Sequence, residues 1–355
     1  MRVLVHIGEG RVEVQNKAPA GYDADGGLLA VEGSAVCIGD VETLYGHGPV
    51  MKPPLALGHE IVGRVAEVGS DAPDMLRNMI GRRVAVDDNR PCGECDWCKC
   101  GNARFCRQPR YGHIVDDGSS VNWGGYARAL TLDRRSVLVP IDETLPVELA
   151  TFVFPVGSGV EWLHLGADLR EGERVAVLGT SRMGVATIVT AQHYGASYVA
   201  FYGAETGTDA IAAARTLGIA YAGEPKVDAS IAPFDVVVVV TEAPSHYLAT
   251  AAEMAGPLGR VIAASTSRDP SGLEPETVRR KGLMIKGGRG ASERALAIAA
   301  YIVATARDRL SALIGNVHDI GEGEALMRSL MTPEGAVRGA HTVIADLVEP
   351  FGGAE

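Results

Sequence analysis

Five of the six cysteines in this 355-residue chain fall between Cys92 and Cys106. Cys92, Cys95, Cys98 and Cys106 follow the spacing C-x2-C-x2-C-x7-C. Spacing this short lets one loop fold four thiolates around a tetrahedral Zn²⁺ at about 2.3 Å, and four sulfurs leave no position open for chemistry. The site so formed is structural. Pro91, Gly93, Glu94 and Asp96 suit a loop and would make a poor core for free thiols. Cys100 is a fifth thiol in the run, and spacing alone leaves open whether it replaces Cys98 or Cys106.

A second constellation lies upstream. Cys37 ends a strand-like segment, Asp40 follows three residues later, and Gly58-His59-Glu60 opens another strand-like segment. A thiolate, an imidazole and a carboxylate make a catalytic zinc shell with water or substrate in the fourth place. Asp40 is spaced to accept the second N–H of His59 and so to fix its tautomer. Taken singly, a Cys or a His is more often a packed or surface residue than a ligand.

A third pattern follows an apolar run at 175–178. Gly179-Thr180-Ser181-Arg182-Met183-Gly184 matches the dinucleotide fingerprint G-x-G-x-x-G except that Ser181 takes the middle glycine's place. The first glycine serves the tight turn, the last serves helix–strand packing, and the helix N-terminus holds the pyrophosphate. An acid for the ribose hydroxyls is expected about twenty residues on, which leads to Gly203 or Glu205. Glu205 favours NAD by repelling a 2′-phosphate. Gly203 with Arg182 or Arg215 would favour NADP, the alternative.

These residues need elements to position them. The first 150 residues read as short β segments between Gly, Pro and Asp turns, with 31–37, 60–68 and 82–86 strand-like. Beyond residue 149, apolar strands at 174–178, 198–202, 235–240 and 260–264 alternate with helices at 183–193 and 209–217. That alternation predicts a doubly wound parallel sheet. A long Ala-rich helix begins near Ser292, an amphipathic helix spans 319–330, and 342–345 is strand-like. At 355 residues the chain predicts two domains. No linker separates the halves, so the sheet domain reads as inserted into the other.

Composition narrows the function. Hydrophobic residues at 46% and charged residues at 22% describe a globular chain, not a disordered one. The net charge of -11 and the lack of a Lys/Arg run argue against a nucleic-acid partner. The apolar run at 236–240 is only strand length, so no membrane span is expected. Residues 1–6 begin a short strand and are too few for a signal-peptide core. Crowded cysteines fit a reducing compartment better than a disulfide framework, and the reading is cytoplasmic.

Taken in order, Cys37-x2-Asp40, Gly58-His59-Glu60 running into Ile61-Val62-Gly63-Arg64-Val65, and the four-cysteine run resemble the zinc-containing medium-chain alcohol and polyol dehydrogenases. The sorbitol, threonine and glucose dehydrogenase branch is the nearest. The resemblance spans nearly the whole chain. It implies an α/β fold, with a Rossmann-type doubly wound parallel sheet domain (154–292) inserted in a mainly β GroES-like catalytic domain (1–153 and 293–355). It implies hydride transfer between a nicotinamide coenzyme and a secondary alcohol or ketone, two zinc ions per chain, and a homodimer or homotetramer. Cys37 and His59 then correspond to the first two ligands of the catalytic zinc, with Glu60 a ligand or a carboxylate beside them. The nicotinamide is expected near Thr241 and Gly287.

Three departures stand out. Gly39 takes the place of the relay Ser or Thr, Glu42 that of a histidine, and Phe154 that of the glutamate in a Glu-Pro pair supplying the third ligand. A phenyl ring cannot bind zinc, so the set read here is Cys37, His59, Glu60 and water. Glu161 reaching in, or a site that has lost its metal, are the alternatives. Proton release would pass through Glu42, His47 or water. The branch implies a sugar, cyclitol or polyol substrate, which Glu42, His47 and Glu161 would suit, whereas Trp123 and Trp162 would line an apolar pocket. The rivals are a zinc-free reductase of the same fold and a non-catalytic nucleotide-binding protein with structural zinc alone.

Overall fold

The computed structural model describes residues 1–19, 21–45, 53–106, 115–116, 120–121, 123–206, 208–311, 314–330 and 341–347. By internal packing these fall into two units. One holds the residues up to Val153 and those from Ile314 onward; the other begins at Phe154 and ends before Ile314.

The first unit is mainly antiparallel β. Its larger sheet runs Leu138–Pro140, Arg83–Val86, Glu60–Val68, Gly27–Ala35, His341–Ala345 and Ile314–Asp319, and Ala129–Leu132 also pairs with Gly27–Ala35. A smaller sheet sets Arg2–Gly8 between Arg11–Asn16 and Leu55–Ala56. Alternate side chains of the two longest strands enter one core, where Leu29, Val31, Ile61 and Val65 meet Trp123, Leu130 and Leu132. Each such side chain contributes about 1.5–3 kcal/mol on burial. The approach of these strands requires Gly63, whose Cβ would lie 2.2 Å from the Ala30 carbonyl oxygen. Register matters most for function: Ala35 sits opposite Glu60 and Ser34 opposite Ile61. The pairing brings the segment after Ala35 and the segment before Glu60 to the same end of the sheet.

The second unit carries five parallel strands in the order Tyr198–Tyr202, Arg174–Leu178, Phe234–Val239, Ala255–Ala263, Met284–Gly287. Tyr221 adds a single parallel bridge to Phe201. Counting it as the third strand, the order is 3-2-1-4-5-6, the doubly wound Rossmann arrangement expected. Val236, Val237, Val238 and Val239 are fully buried because helices cover both faces. Tyr202, Leu178, Val239, Ala263 and Gly287 form one row across the sheet. The carboxyl ends of the strands are thus level.

Some expectations shift. Cys37 lies two residues past its strand and caps a helix, Ile38–Leu44, that its short length hid. The helix expected at 183–193 begins one residue earlier, at Arg182. A π-helical turn, Glu161–Gly166, follows the helix Val153–Val160. The helix Glu293–Thr305, assigned from sequence to the catalytic segment 293–355, clusters with the second unit. Its cap Ser292 bonds Glu161, and Leu296 lies where a Cβ on Gly157 would be, within 2.8 Å. Among the described residues no helix is long and apolar enough to cross a membrane.

Candidate functional site

The sheet register delivers Cys37, His59 and Glu60 to one place, and their ligand atoms lie within 4.8 Å of one another. Gly58 makes the turn before His59 with φ +89, and a Cβ there would strike the Tyr126 ring and backbone nitrogen at 2.8 Å. Behind the three donors sits Asp40, 2% exposed. Its Oδ2 accepts from the Cys37 N–H at 3.1 Å and the Tyr126 hydroxyl at 2.8 Å. Its Oδ1 accepts from the Gly58 N–H at 3.2 Å and lies 3.3 Å from His59 Nδ1.

Charge follows from these contacts. Burial alone would raise the pKa of Asp40, but the His59 charge and hydrogen bond, with Tyr126 and the Cys37 N–H, hold it at about 2. For His59 burial opposes the proton, yet Asp40 and Cys37 outweigh it and lift the imidazole well above its ordinary value. Burial and Asp40 push the Tyr126 phenol well above its own, so it stays a donor. With Nδ1 facing Asp40, the other ring nitrogen is left for a ligand. The donor set fits zinc: a tetrahedral shell with bonds of about 2.0–2.3 Å separates its ligand atoms by roughly 3.3–3.8 Å, inside the observed limit.

Gly39 is also at this site. A Cβ on it would stand 3.4 Å from His59 Cε1 and 3.9 Å from Cys37 Sγ, ordinary contacts. Space for a side chain exists where the relay hydroxyl is missing.

The second cluster is the four-cysteine loop. Sγ separations are 3.5 Å for Cys95–Cys98, 3.8 Å for Cys95–Cys106 and 3.9 Å for Cys92–Cys98. The edge of a tetrahedron with Zn–S bonds of about 2.3 Å is roughly 3.8 Å, so the sulfurs stand where such an ion requires. Cys100 is exposed and turns to the Trp97 carbonyl, apart from the four sulfurs that converge. Burial and the neighbouring thiols push Cys98 up to about 12. Four thiolates cannot coexist here without a cation. Among the described residues these two groups are the ones with metal-ligating geometry.

In the second unit the glycine loop follows Leu178 at the level ends of the strands. Gly179 has φ +128, and a Cβ on it would lie 2.3 Å from Val240. At Gly184 a Cβ would fall 2.3 Å from the Gly179 carbonyl oxygen, so both outer positions of the fingerprint demand glycine. Ser181, in the middle place, caps the helix Arg182–His193 by accepting from the Gly184 N–H at 3.4 Å, and it donates to Glu242 at 2.8 Å. Arg182 and Met183 are buried in the first helical turn. Thr180 donates to the Ala204 carbonyl at 2.6 Å. Gly203 follows the strand end directly, Glu205 is exposed beyond it, Thr241 lies just past Val239, and Gly287 ends its own strand.

Other candidates are placed elsewhere. Glu161 is buried, and its carboxylate accepts from the Ser292 N–H at 3.2 Å and hydroxyl at 2.6 Å, within the second unit. It serves as an anchor for the next helix. Trp123 and Trp162, 1% and 2% exposed, are buried core residues. Phe154 is buried in the helix Val153–Val160. His47 lies outside the described residues. Sequence reasoning missed Tyr126, because nothing local marks a tyrosine whose partner lies 86 residues away.

Comparison with known proteins identifies similar chains. Residues 23–143 match the family described as alcohol dehydrogenase GroES-like domain. The chain is 28% identical over 363 residues to a protein of Mycobacterium tuberculosis named as a probable alcohol dehydrogenase, covering 97% of this chain and 98% of that one. It is 33% identical over 159 residues to NADP-dependent alcohol dehydrogenase 6 of Saccharomyces cerevisiae, covering 44% and 43% of the two. The structure of alcohol dehydrogenase TADH from Thermus sp. ATN1 superposes with a TM-score of 0.83 at 22% identity, covering 98% of this chain and 100% of that one.

Proposed function

The chain belongs to the zinc-type medium-chain alcohol dehydrogenases, and from that premise we propose that it passes hydride between NAD and a secondary alcohol or its ketone, with a sugar, cyclitol or polyol as substrate. The observation that carries the reading is the convergence of Cys37, His59 and Glu60 on one point, with Asp40 behind His59.

Cys37, His59 and Glu60 would hold the catalytic zinc, and Cys92, Cys95, Cys98 and Cys106 a structural one, giving two per chain. Bound at the first site, zinc would supply Lewis-acid polarisation of the substrate oxygen. The chain's own residues do the rest. Asp40 orients the imidazole and keeps its proton on Nδ1. Tyr126, the Cys37 N–H and the Gly58 N–H hold the Asp40 carboxylate in place. Glu60 takes the ligand place that Phe154 cannot fill. The N-terminus of the helix Arg182–His193, the positive end of its dipole, would receive the coenzyme pyrophosphate.

Gly39 leaves the alcohol proton without a side-chain hydroxyl at this point, so the proton leaves through water or Glu42 on the next turn of the helix Ile38–Leu44. A polar acceptor beside the site suits a substrate with several hydroxyls. Assembly into a homodimer or homotetramer is part of the same reading. Coenzyme-linked turnover on a panel of sugars, cyclitols, polyols and simple alcohols tests it. Reduction of NAD by polyhydroxylated members supports it. Turnover restricted to aliphatic or aromatic alcohols contradicts the substrate class, and no turnover at all contradicts the reaction.

A further inference from the structure

The Ser181 hydroxyl, in the middle place of the glycine loop, is used twice. It accepts from the Gly184 N–H at 3.4 Å, capping the helix Arg182–His193, and it donates to a Glu242 carboxylate oxygen at 2.8 Å. An acid therefore stands one hydrogen bond from the start of that helix. The loops carrying the two residues are packed together. A Cβ on Gly179 would lie 2.3 Å from Val240 Cγ2 and 3.3 Å from Ala243 Cβ, and Glu242 falls between those two in the chain.

The turn that holds Glu242 is fixed through its backbone. The Ala243 N–H donates to the Val240 carbonyl at 3.1 Å, and the Thr266 N–H donates to the Thr241 carbonyl at 3.0 Å. The Ser265 hydroxyl donates to the Ala243 carbonyl. Only side-chain torsions can carry the carboxylate away. The helix N-terminus is the positive end of a dipole and favours an anion. In the fingerprint the middle glycine lets the backbone approach the pyrophosphate closely. Here that place carries a hydroxyl, and the hydroxyl ties an acid to the spot. Ser181 is 8% exposed and Glu242 half-buried, so water screens the carboxylate only in part.

We propose that Glu242, held by the Ser181 hydroxyl at the start of the helix Arg182–His193, competes with the coenzyme pyrophosphate for that helix end and so weakens coenzyme binding. The inference rests on the dehydrogenase reading above and adds a residue that sets how tightly the coenzyme is held. When the pyrophosphate arrives, the Glu242 side chain either swings away from Ser181 or stays beside a like charge. Both routes cost free energy, and removing the charge on Glu242 removes that cost.

Calorimetric titration of the zinc-loaded protein with NADH, and with ADP, which carries the pyrophosphate without the nicotinamide, tests this without turnover. Glu242→Gln keeps an acceptor oxygen for the Ser181 hydroxyl and removes only the charge. It should melt like wild type and bind both NADH and ADP at least about fivefold more tightly. A residue that merely braced the loop would give weaker binding and a lower midpoint on replacement, so tighter binding at an unchanged midpoint separates the two roles. Unchanged or weaker NADH binding by Glu242→Gln overturns the proposal, and weaker binding would make the carboxylate a coenzyme ligand instead. A gain with NADH but not with ADP also overturns it, because the effect would then lie at the nicotinamide end. If neither protein binds NADH or ADP, the dehydrogenase reading itself fails, and this inference with it.

Discussion

His59 Nδ1 lies 3.3 Å from Asp40 Oδ1, and this contact decides which ring nitrogen is left for a metal. Asn at position 40 keeps the size but is neutral, and its amide can turn an N–H toward Nδ1. Asp40→Asn should therefore weaken zinc at the first site by about 10- to 100-fold, the usual effect of losing such a partner. A chelator-competition titration measures it. An unchanged affinity would show that Asp40 is only a helix cap.

Tyr126 makes one of the four polar contacts on the buried Asp40 carboxylate. Tyr126→Phe leaves that oxygen short of a donor, which costs about 1–3 kcal/mol. Thermal denaturation should show a lower midpoint, and zinc affinity should fall less than in Asp40→Asn because His59 keeps its partner. An unaltered midpoint would mean that water replaces the phenol at no cost.

The pKa directions set the pH response. Asp40 is depressed from 3.8 to about 2 in the folded chain. Its contribution to stability is present above 3.8 and is lost as pH falls toward about 2. His59 is raised above 6.5, so its contribution is present below 6.5 and fades as pH climbs through the raised value. Zinc must displace any proton on the liganding nitrogen, so apparent affinity at the first site should rise with pH. Chelator competition at several pH values checks this, and a flat profile would contradict a protonated imidazole in the metal-free site.

The four-cysteine loop allows a paired comparison. Cys95 lies 3.5 Å and 3.8 Å from two other sulfurs, while Cys100 bonds the Trp97 carbonyl. Cys95→Ser should lose one zinc and several degrees of thermal stability, and Cys100→Ser should lose neither. Metal content with a melting curve for each variant tests the assignment. Zinc loss from Cys100→Ser would reassign the fourth ligand.

Local spacing made much of this legible. The cysteine run, the Cys37–Asp40 pair, Gly58-His59-Glu60 and the glycine loop each lie within a few residues, so covalent geometry limits where their side chains can meet. Strand alternation gave the parallel sheet because its buried valines are contiguous. Relationships across the fold stayed hidden. Tyr126 meets Asp40 across 86 residues, and Glu161 meets Ser292 across 131. Cys100 could be set aside only once side-chain directions were known. Thr180 reads as an ordinary loop residue until Gly203 is seen packed against it.

The most direct test of the catalytic centre is zinc per chain, by elemental analysis of wild type beside Cys37→Ala. Two clusters predict two zinc ions in wild type and one in the variant, with the four-cysteine ion retained. A single zinc in wild type, or an undiminished pair in Cys37→Ala, would contradict a metal held by Cys37, His59 and Glu60.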